Sequence, residues 1–330
     1  MNTKFVLSAI FTLLIVSFRP AEAQQTHKAF PRIGYISATD APGGRSPLSD
    51  AFRQGLRDLG YVDGRNVFVE GRYAEGKLDR MAALVNELIQ QKVDVLVAAN
   101  NVGIRAAKEA TKIIPIVMIS SVDPVEAGYV QSFAHPGGNI TGLAWLNRDI
   151  SAKRVELLKE ILPKISKVAV LWDADGPGPA VAIKEYEAAA RAFKWDLLSL
   201  KVRAPNPDFA TAFSAARTAR AGALVVVGNP LMAKYATQVF ELATKNQLPS
   251  MTERGTYVSA GGLISYGANF TDLHRRAAGY VVEILKGANP ADLQVKLAEK
   301  FEIYINLKTA QQLGLTIPQR VLVQADKVIQ

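Results

Sequence analysis

The feature that most constrains the fold of this chain is an alternation. Short apolar runs recur along it, each followed by a polar or Gly/Pro-rich loop and then by an amphipathic stretch. The run 93–98 (VDVLVA) is almost uninterrupted in apolar character. Such a strand is expected where helices cover both faces of a parallel sheet. Upstream, 32–37 (RIGYIS) reads as a strand, and Leu48, Ala51, Phe52, Leu56 and Leu59 recur at helical spacing before Gly60. A second strand over 67–70 precedes a helix over 79–91 with Met81, Leu84, Val85, Leu88 and Ile89 on one face. Downstream, a helix over 102–111 and a strand over 116–119 complete the block. This succession predicts an α/β layer fold.

The cycle then begins again. Extended segments are predicted over 139–145, 168–172, 197–202 and 223–227, with helices over 151–162, 181–193, 209–220 and 232–245. Two α/β blocks of similar size suit a chain of 330 residues. Beyond Gly261, extended pieces over 263–266 and 302–306 flank a strong helix over 273–285, and 309–315 reads as a short helix. Together with 139–145, the two late extended pieces predict a chain that returns between lobes, making a three-segment hinge. The implied boundaries are 28–143 plus 267–306 for the first lobe, 144–266 for the second, and 307–330 for a C-terminal helical segment.

The first residues read differently. Lys4, an apolar run over 5–18, Arg19-Pro20 and then Ala21-Glu22-Ala23 follow the order of a cleaved signal peptide, residues 1–23. The run is short for a membrane span of about 20 residues. The expectation is an exported, periplasmic protein. The chain has no cysteine, which excludes disulfides, thiolate metal sites and a lipidated N-terminal cysteine. At 49% hydrophobic and 21% charged residues, it packs a core rather than staying disordered. The net charge of +9 permits an acidic partner without requiring one.

Candidate binding residues sit in the loops that follow strands, where open sheets receive ligands. The loop 39–46, from Thr39 to Ser46, has glycines that expose backbone N–H groups, yet it matches neither a dinucleotide fingerprint nor a phosphate loop. Asn100 and Asn101 end the buried strand; their amides suit an oriented small molecule, while capping alone would account for one of them. Ser120 and Asp123 hold the equivalent place after the next strand, and Asp123 could accept from a ligand amine or cap a turn before Pro124. In the second block, Trp172, Asp173, Asn229, Glu253 and Tyr266 take the corresponding positions. Trp172 could line the pocket or pack in the core.

Enzyme chemistry has little to stand on. The three histidines, His27, His135 and His274, have no metal-ligand spacing, and there is no GxSxG elbow. Basic residues are scattered, and no nucleic-acid module is recognisable. No cofactor and no metal are expected.

At the level of longer segments the chain resembles the substrate-binding proteins of bacterial ABC importers. The resemblance runs through AFRQGLRDLGYVDGRNV (51–67), KVDVLVAAN (92–100), IPIVMISSVDPVEAGYVQSFAHPGGNITGL (114–143), KRVELLKEILPKISKVAVLW (153–172), GGLISYGANFTDLHRRAAGYVVEILKGANPADLQV (261–295) and KFEIYINLKTAQQLGLTIP (300–318). It implies a periplasmic-binding-protein type I-like fold, with two Rossmann-like lobes closing over a small organic solute. It also implies delivery to ABC permease subunits, with ATPase subunits engaged indirectly. The ligand expected is an amino acid or an aromatic or apolar carboxylate, and a monomer is expected. The resemblance places contacts near Thr39, Ser46, Asn100, Ser120, Asp123, Asp173, Asn229, Glu253 and Tyr266. A ligand-sensing module for a membrane receptor and an exported enzyme on the same scaffold are the alternatives.

Overall fold

The computed structural model describes residues 30–38, 46–175 and 177–330, without the side chains of 147–149 and 177–181. The leader region, residues 1–23, and Thr39 lie outside the described residues.

In chain order the elements are β1 (Arg32–Ser37), α1 (Pro47–Asp58), β2 (Phe68–Tyr73), α2 (Met81–Gln90), β3 (Val95–Ala98), α3 (Asn101–Ala110), β4 (Ile116–Ser120) and β5 (Ile140–Ala144). Then come α4 (Asn147–Ile161), β6 (Lys167–Asp173), α5 (Pro177–Ala192), β7 (Asp196–Val202), α6 (Phe209–Thr218), β8 (Ala223–Val226), α7 (Pro230–Lys234) and α8 (Ala236–Lys245). The last third holds β9 (Ser250–Thr252), α9 (Gly255–Ser259), β10 (Ile264–Ala268), α10 (Phe270–Leu285), β11 (Lys296–Leu297), β12 (Phe301–Asn306), α11 (Leu307–Gln312), α12 (Gln319–Leu322) and β13 (Lys327–Ile329).

Two sheets result. The first is parallel, ordered β11-β5-β4-β3-β1-β2, and the second is ordered β13-β12-β10-β9-β8-β6-β7. Within the second, β12 runs antiparallel to β10. The fold is the two-lobed α/β type I periplasmic-binding fold. Each sheet is sandwiched between two apolar clusters. Tyr35, Phe52, Val97 and Val281 pack on one face of the first sheet, and Ile36, Leu88, Leu96 and Met118 on the other. β1 and β3 are buried almost throughout, and their successive side chains go alternately to the two clusters, as a sheet covered on both faces demands.

The chain passes between the lobes three times: between β5 and α4, between β10 and α10, and between β11 and β12. Strand pairing corrects the sequence boundaries. The segment 301–306, assigned above to the first lobe, pairs with β10 in the second sheet, and residues 267–268, also assigned to the first lobe, are the end of β10 itself. Residues 327–329 pair with β12, so the C-terminal stretch belongs to the second sheet rather than to a separate segment. Periodicity could not see this, because a strand carries the same pattern whichever sheet it joins.

Candidate functional site

All parallel strands of each sheet end on one edge, and the candidate residues gather there. In the first lobe that edge is formed by the ends of β3 and β4, in register with one another. Asn100 is the N-cap of α3: its Oδ1 accepts from the Gly103 N–H at 2.8 Å. Its amide Nδ2 is buried and has no hydrogen-bond partner among the described residues. Asn101 turns sideways instead. Its Nδ2 donates to Ser121 Oγ at 2.6 Å, and its Oδ1 accepts from Ser120 Oγ and the Ser121 N–H, each at 3.2 Å. Ser120 is fully buried, and its single hydroxyl proton is shared between Asn101 Oδ1 at 3.2 Å and the Val122 carbonyl at 2.9 Å. The Asn101–Ser120–Ser121 set therefore pins the loop after β4 to the start of α3.

Asp123 is spent on its own turn, accepting from the Val125 and Glu126 N–H groups at 2.8 and 3.1 Å. Of the two readings open for Asp123, a ligand amine or a turn before Pro124, it takes the turn. Ser46 closes a capping box with Ser49 at the start of α1, which satisfies backbone donors at that helix end.

In the second lobe, Asp173 ends β6 and Asn229 caps α7. Asn229 Nδ2 donates to Asp173 Oδ2 at 2.7 Å while its Oδ1 accepts from the Met232 N–H at 2.8 Å. Asp173 Oδ1 accepts from the Asp175 N–H at 3.1 Å. Trp172 takes the packing alternative: it lies in the core, and its indole Nε1 donates to Ser199 Oγ at 2.8 Å. The neighbouring Tyr257 hydroxyl donates to the Asn229 carbonyl at 3.3 Å, and burial pushes that phenol up to about 12.

Glu253 follows β9. Its carboxylate lies 3.8 Å from the guanidinium of Arg154, a residue only 1% exposed. Arg154 also donates to the Tyr266 carbonyl at 2.6 Å and the Tyr186 hydroxyl at 2.9 Å. Glu253 thus stands at the edge with a buried cation behind it. A Cβ on Gly228 would collide with Glu253 Oε1, so the carboxylate covers the end of β8 at a place where no side chain fits.

The three crossings carry aromatic rings. Trp145 follows β5 and meets Phe270, at the start of α10, edge-on at 4.9 Å. Tyr266, next to the second crossing, stacks on Phe301, which opens β12, at 5.8 Å. Burial raises the Tyr266 hydroxyl pKa. The lobes also meet directly. The guanidinium of Arg254, in the second lobe, lies over the Phe270 ring at 4.4 Å, and a methyl group on Gly76 would touch Pro230 Cβ at 4.0 Å. Behind Phe270, His274 Nδ1 and the Tyr35 hydroxyl share a hydrogen bond of 3.0 Å. Sequence reading missed Arg154, Tyr186, Arg254, Trp145 and Phe270. An arginine in an amphipathic helix looks like a solvated charge until the fold shows what lies around it.

A groove of about 700 Å³ lined by Asp58, Arg275 and Tyr280 lies between α1 and α10, at the end of α1 far from the strand edge. Its charges pair locally, Arg275 with Asp58 at 2.7 Å. Among the described residues, no group of three or more His, Asp or Glu side chains could hold a metal ion.

Comparison with known proteins agrees with this geometry. The chain is 27% identical over 265 residues to a tyrosine-binding protein of Clostridioides difficile (strain R20291), covering 80% of this chain and 75% of that protein. A conserved domain protein from Vibrio cholerae superposes with a TM-score of 0.82 at 27% identity, over 90% of this chain and 99% of that one. The ABC domain from Streptococcus pneumonia in complex with L-Trp superposes with a TM-score of 0.83 at 26% identity, over 91% of this chain and all of that one. Such proteins bind a solute rather than transform it, work outside the cytoplasm, and serve an ABC permease system. Residues 42–329 match the family described as ABC transporter substrate binding protein, and the chain belongs to that family.

Proposed function

We propose that the protein captures an aromatic amino acid in the cleft between its lobes and presents it to its permease. The observation that carries this reading is the placement of Trp145, Phe270 and Tyr266 at the crossings between the lobes, with Glu253 following β9, the strand paired with the Tyr266 strand β10. Aromatic rings offer an apolar surface to a ligand ring, with edge and stacked geometries both favourable. Glu253, which accepts no hydrogen bond among the described residues, suits the ligand ammonium group, whereas Asp123 is occupied by its turn. The tyrosine-binding relative and the L-Trp complex support the aromatic class. Asn100, Ser120, Asp173 and Asn229 border the same cleft and would shape the remaining contacts, as would Ser46 and Thr39 from the loop before α1. Each lobe supplies contacts, so ligand favours the closed arrangement, and closure is the signal the permease reads. The protein acts as a monomer after removal of residues 1–23.

Native mass spectrometry of the purified mature protein, followed by calorimetry with L-tryptophan, L-tyrosine, L-phenylalanine and L-leucine, tests the reading. One bound aromatic amino acid per chain, held at least tenfold tighter than L-leucine, is expected. Preference for L-leucine, or recovery of a sugar or nucleotide from the protein, would sink it.

A further inference from the structure

Arg254 is an unusual cation for this protein. It stands after β9 at the cleft edge of the second lobe, half-buried, and its Nε is enclosed without a hydrogen-bond partner. The described residues offer its guanidinium no hydrogen bond and no ion pair; its one recorded contact is the face of Phe270 at 4.4 Å. Other sheltered arginines here have an acidic partner: Arg154 meets Glu253, and Arg53 pairs with Asp63 at 3.1 Å, although one Arg53 terminal nitrogen is likewise without a hydrogen bond. A desolvated guanidinium loses hydration that a ring face only partly restores, because the ring leaves the in-plane N–H donors unused. Among the described residues of the first lobe, no acidic side chain pairs with it. His274, buried beyond Phe270, is held neutral down to about 3, first by burial and then by the charge of Arg254 itself. Tyr35 opposite it is a phenol bonded to His274.

Taken with the aromatic amino-acid reading above, on which it rests, we propose that Arg254 is the specificity-determining residue for the ligand carboxylate. The in-plane donors of the guanidinium take the two carboxylate oxygens in a bidentate pair while its flat face stays on Phe270. Arg254 belongs to the second lobe and Phe270 to the first, so the carboxylate is gripped by a group that already spans the gap. A ligand carrying the anion stabilises the bridged arrangement; one lacking it leaves the guanidinium unmatched. The site therefore selects aromatic carboxylates over the corresponding amines and amides. Asn100 Nδ2, the enclosed and unmatched donor on the opposite edge, is consistent with a ligand that brings acceptors.

The test is calorimetry on the mature protein, wild type and Arg254→Gln, with L-tryptophan, L-tryptophanamide and indole-3-acetate. Wild type is expected to bind L-tryptophan roughly 100-fold tighter than the amide. In Arg254→Gln that ratio is expected to collapse to about threefold or less, because tryptophan weakens and the amide does not. Arg254→Lys, which keeps charge but not the fork, should fall between the two. Equal weakening of acid and amide would overturn the proposal, since it would mark Arg254 as packing only; so would an unchanged ratio. Should wild type prefer indole-3-acetate to L-tryptophan, the amino-acid reading fails, while the fate of indole-3-acetate binding in Arg254→Gln still decides the role of Arg254. A wild type that binds none of the three overturns both. Far-UV circular dichroism and thermal unfolding of each variant separate lost binding from lost fold.

Discussion

Arg154 Nε donates to the carbonyl of Tyr266 at 2.6 Å, so a charge buried in the second lobe is tied to the strand that leads into a crossing. The same guanidinium stands behind Glu253 at 3.8 Å and holds the Tyr186 hydroxyl. Removing one member of a buried pair leaves the other charge uncompensated and costs more than the pair is worth. Arg154→Met is expected to destabilise the protein by about 3–5 kcal/mol in urea unfolding. Arg154→Met combined with Glu253→Gln should recover part of that loss, because the stranded carboxylate is gone. A loss below about 1 kcal/mol for the single variant would contradict the account.

Gly228 tests the position of Glu253 without touching its charge. A methyl group at Gly228 would strike Glu253 Oε1, the flexible end of a side chain rather than backbone. Gly228→Ala is therefore expected to move the carboxylate away from Arg154 and to cost stability as well, by no more than the roughly 3–5 kcal/mol of a broken buried pair. Affinity for the amino acid should fall about tenfold or more, and binding of an analogue without the ammonium group should change little. Equal binding of both ligands by Gly228→Ala and wild type would show that the carboxylate does not meet the ligand.

Asn229 performs two tasks at once, capping α7 through Oδ1 and donating to Asp173 through Nδ2. Asn229→Ala should cost about 1–3 kcal/mol, since both the Met232 N–H and a nearly buried carboxylate lose a partner. Asn229→Asp keeps the cap but sets a second carboxylate 2.7 Å from the first. It is expected to be less stable than Asn229→Ala at neutral pH and to regain stability as the pair takes up a proton in acid. Chemical denaturation of both variants at pH 7 and pH 4.5 reads the difference, and a pH-independent gap would count against it.

The elements were largely legible in the sequence, and their partners were not. The strand 32–37 and the helix over 209–220 emerge close to their observed bounds because each carries an uninterrupted pattern. The helix expected over 232–245 is broken at Tyr235 into α7 and α8, a stop that no Gly or Pro announces. The short β9 and α9 carry too few residues for any period to register, and they hold Glu253 and Arg254 between them. A capping role was readable at the Asn100–Asn101 pair because Asn before a helix has a local reason to be there, while the cap at Asn229 was hidden by a helix expected to begin only at 232. The Arg154–Glu253 contact spans almost a hundred positions and leaves no local trace, and Arg254 meets Phe270 only because the chain crosses between lobes in the stretch that separates them.

His274 is expected to make the fold sensitive to acid. It is 3% exposed, and burial first, then the charge of Arg254, holds its pKa at about 3 against 6.5 for a free imidazole. The described groups facing it are the Tyr35 hydroxyl on β1 and Arg254 from the second lobe, and neither brings a negative charge to an imidazolium. Between those two values the unfolded chain binds a proton at this residue and the folded chain does not. Stability therefore rises with pH across that window and is lost as pH falls from about 6.5 toward 3. At pH 5 the contribution is about 2 kcal/mol relative to pH 8. His274→Gln keeps an acceptor for Tyr35 but has no proton to bind. Its stability should fall less than that of wild type between pH 8 and pH 5, by about 2 kcal/mol, in urea titrations at matched ionic strength. Parallel pH profiles for the two proteins would assign the acid loss to other groups and leave His274 a purely packed residue.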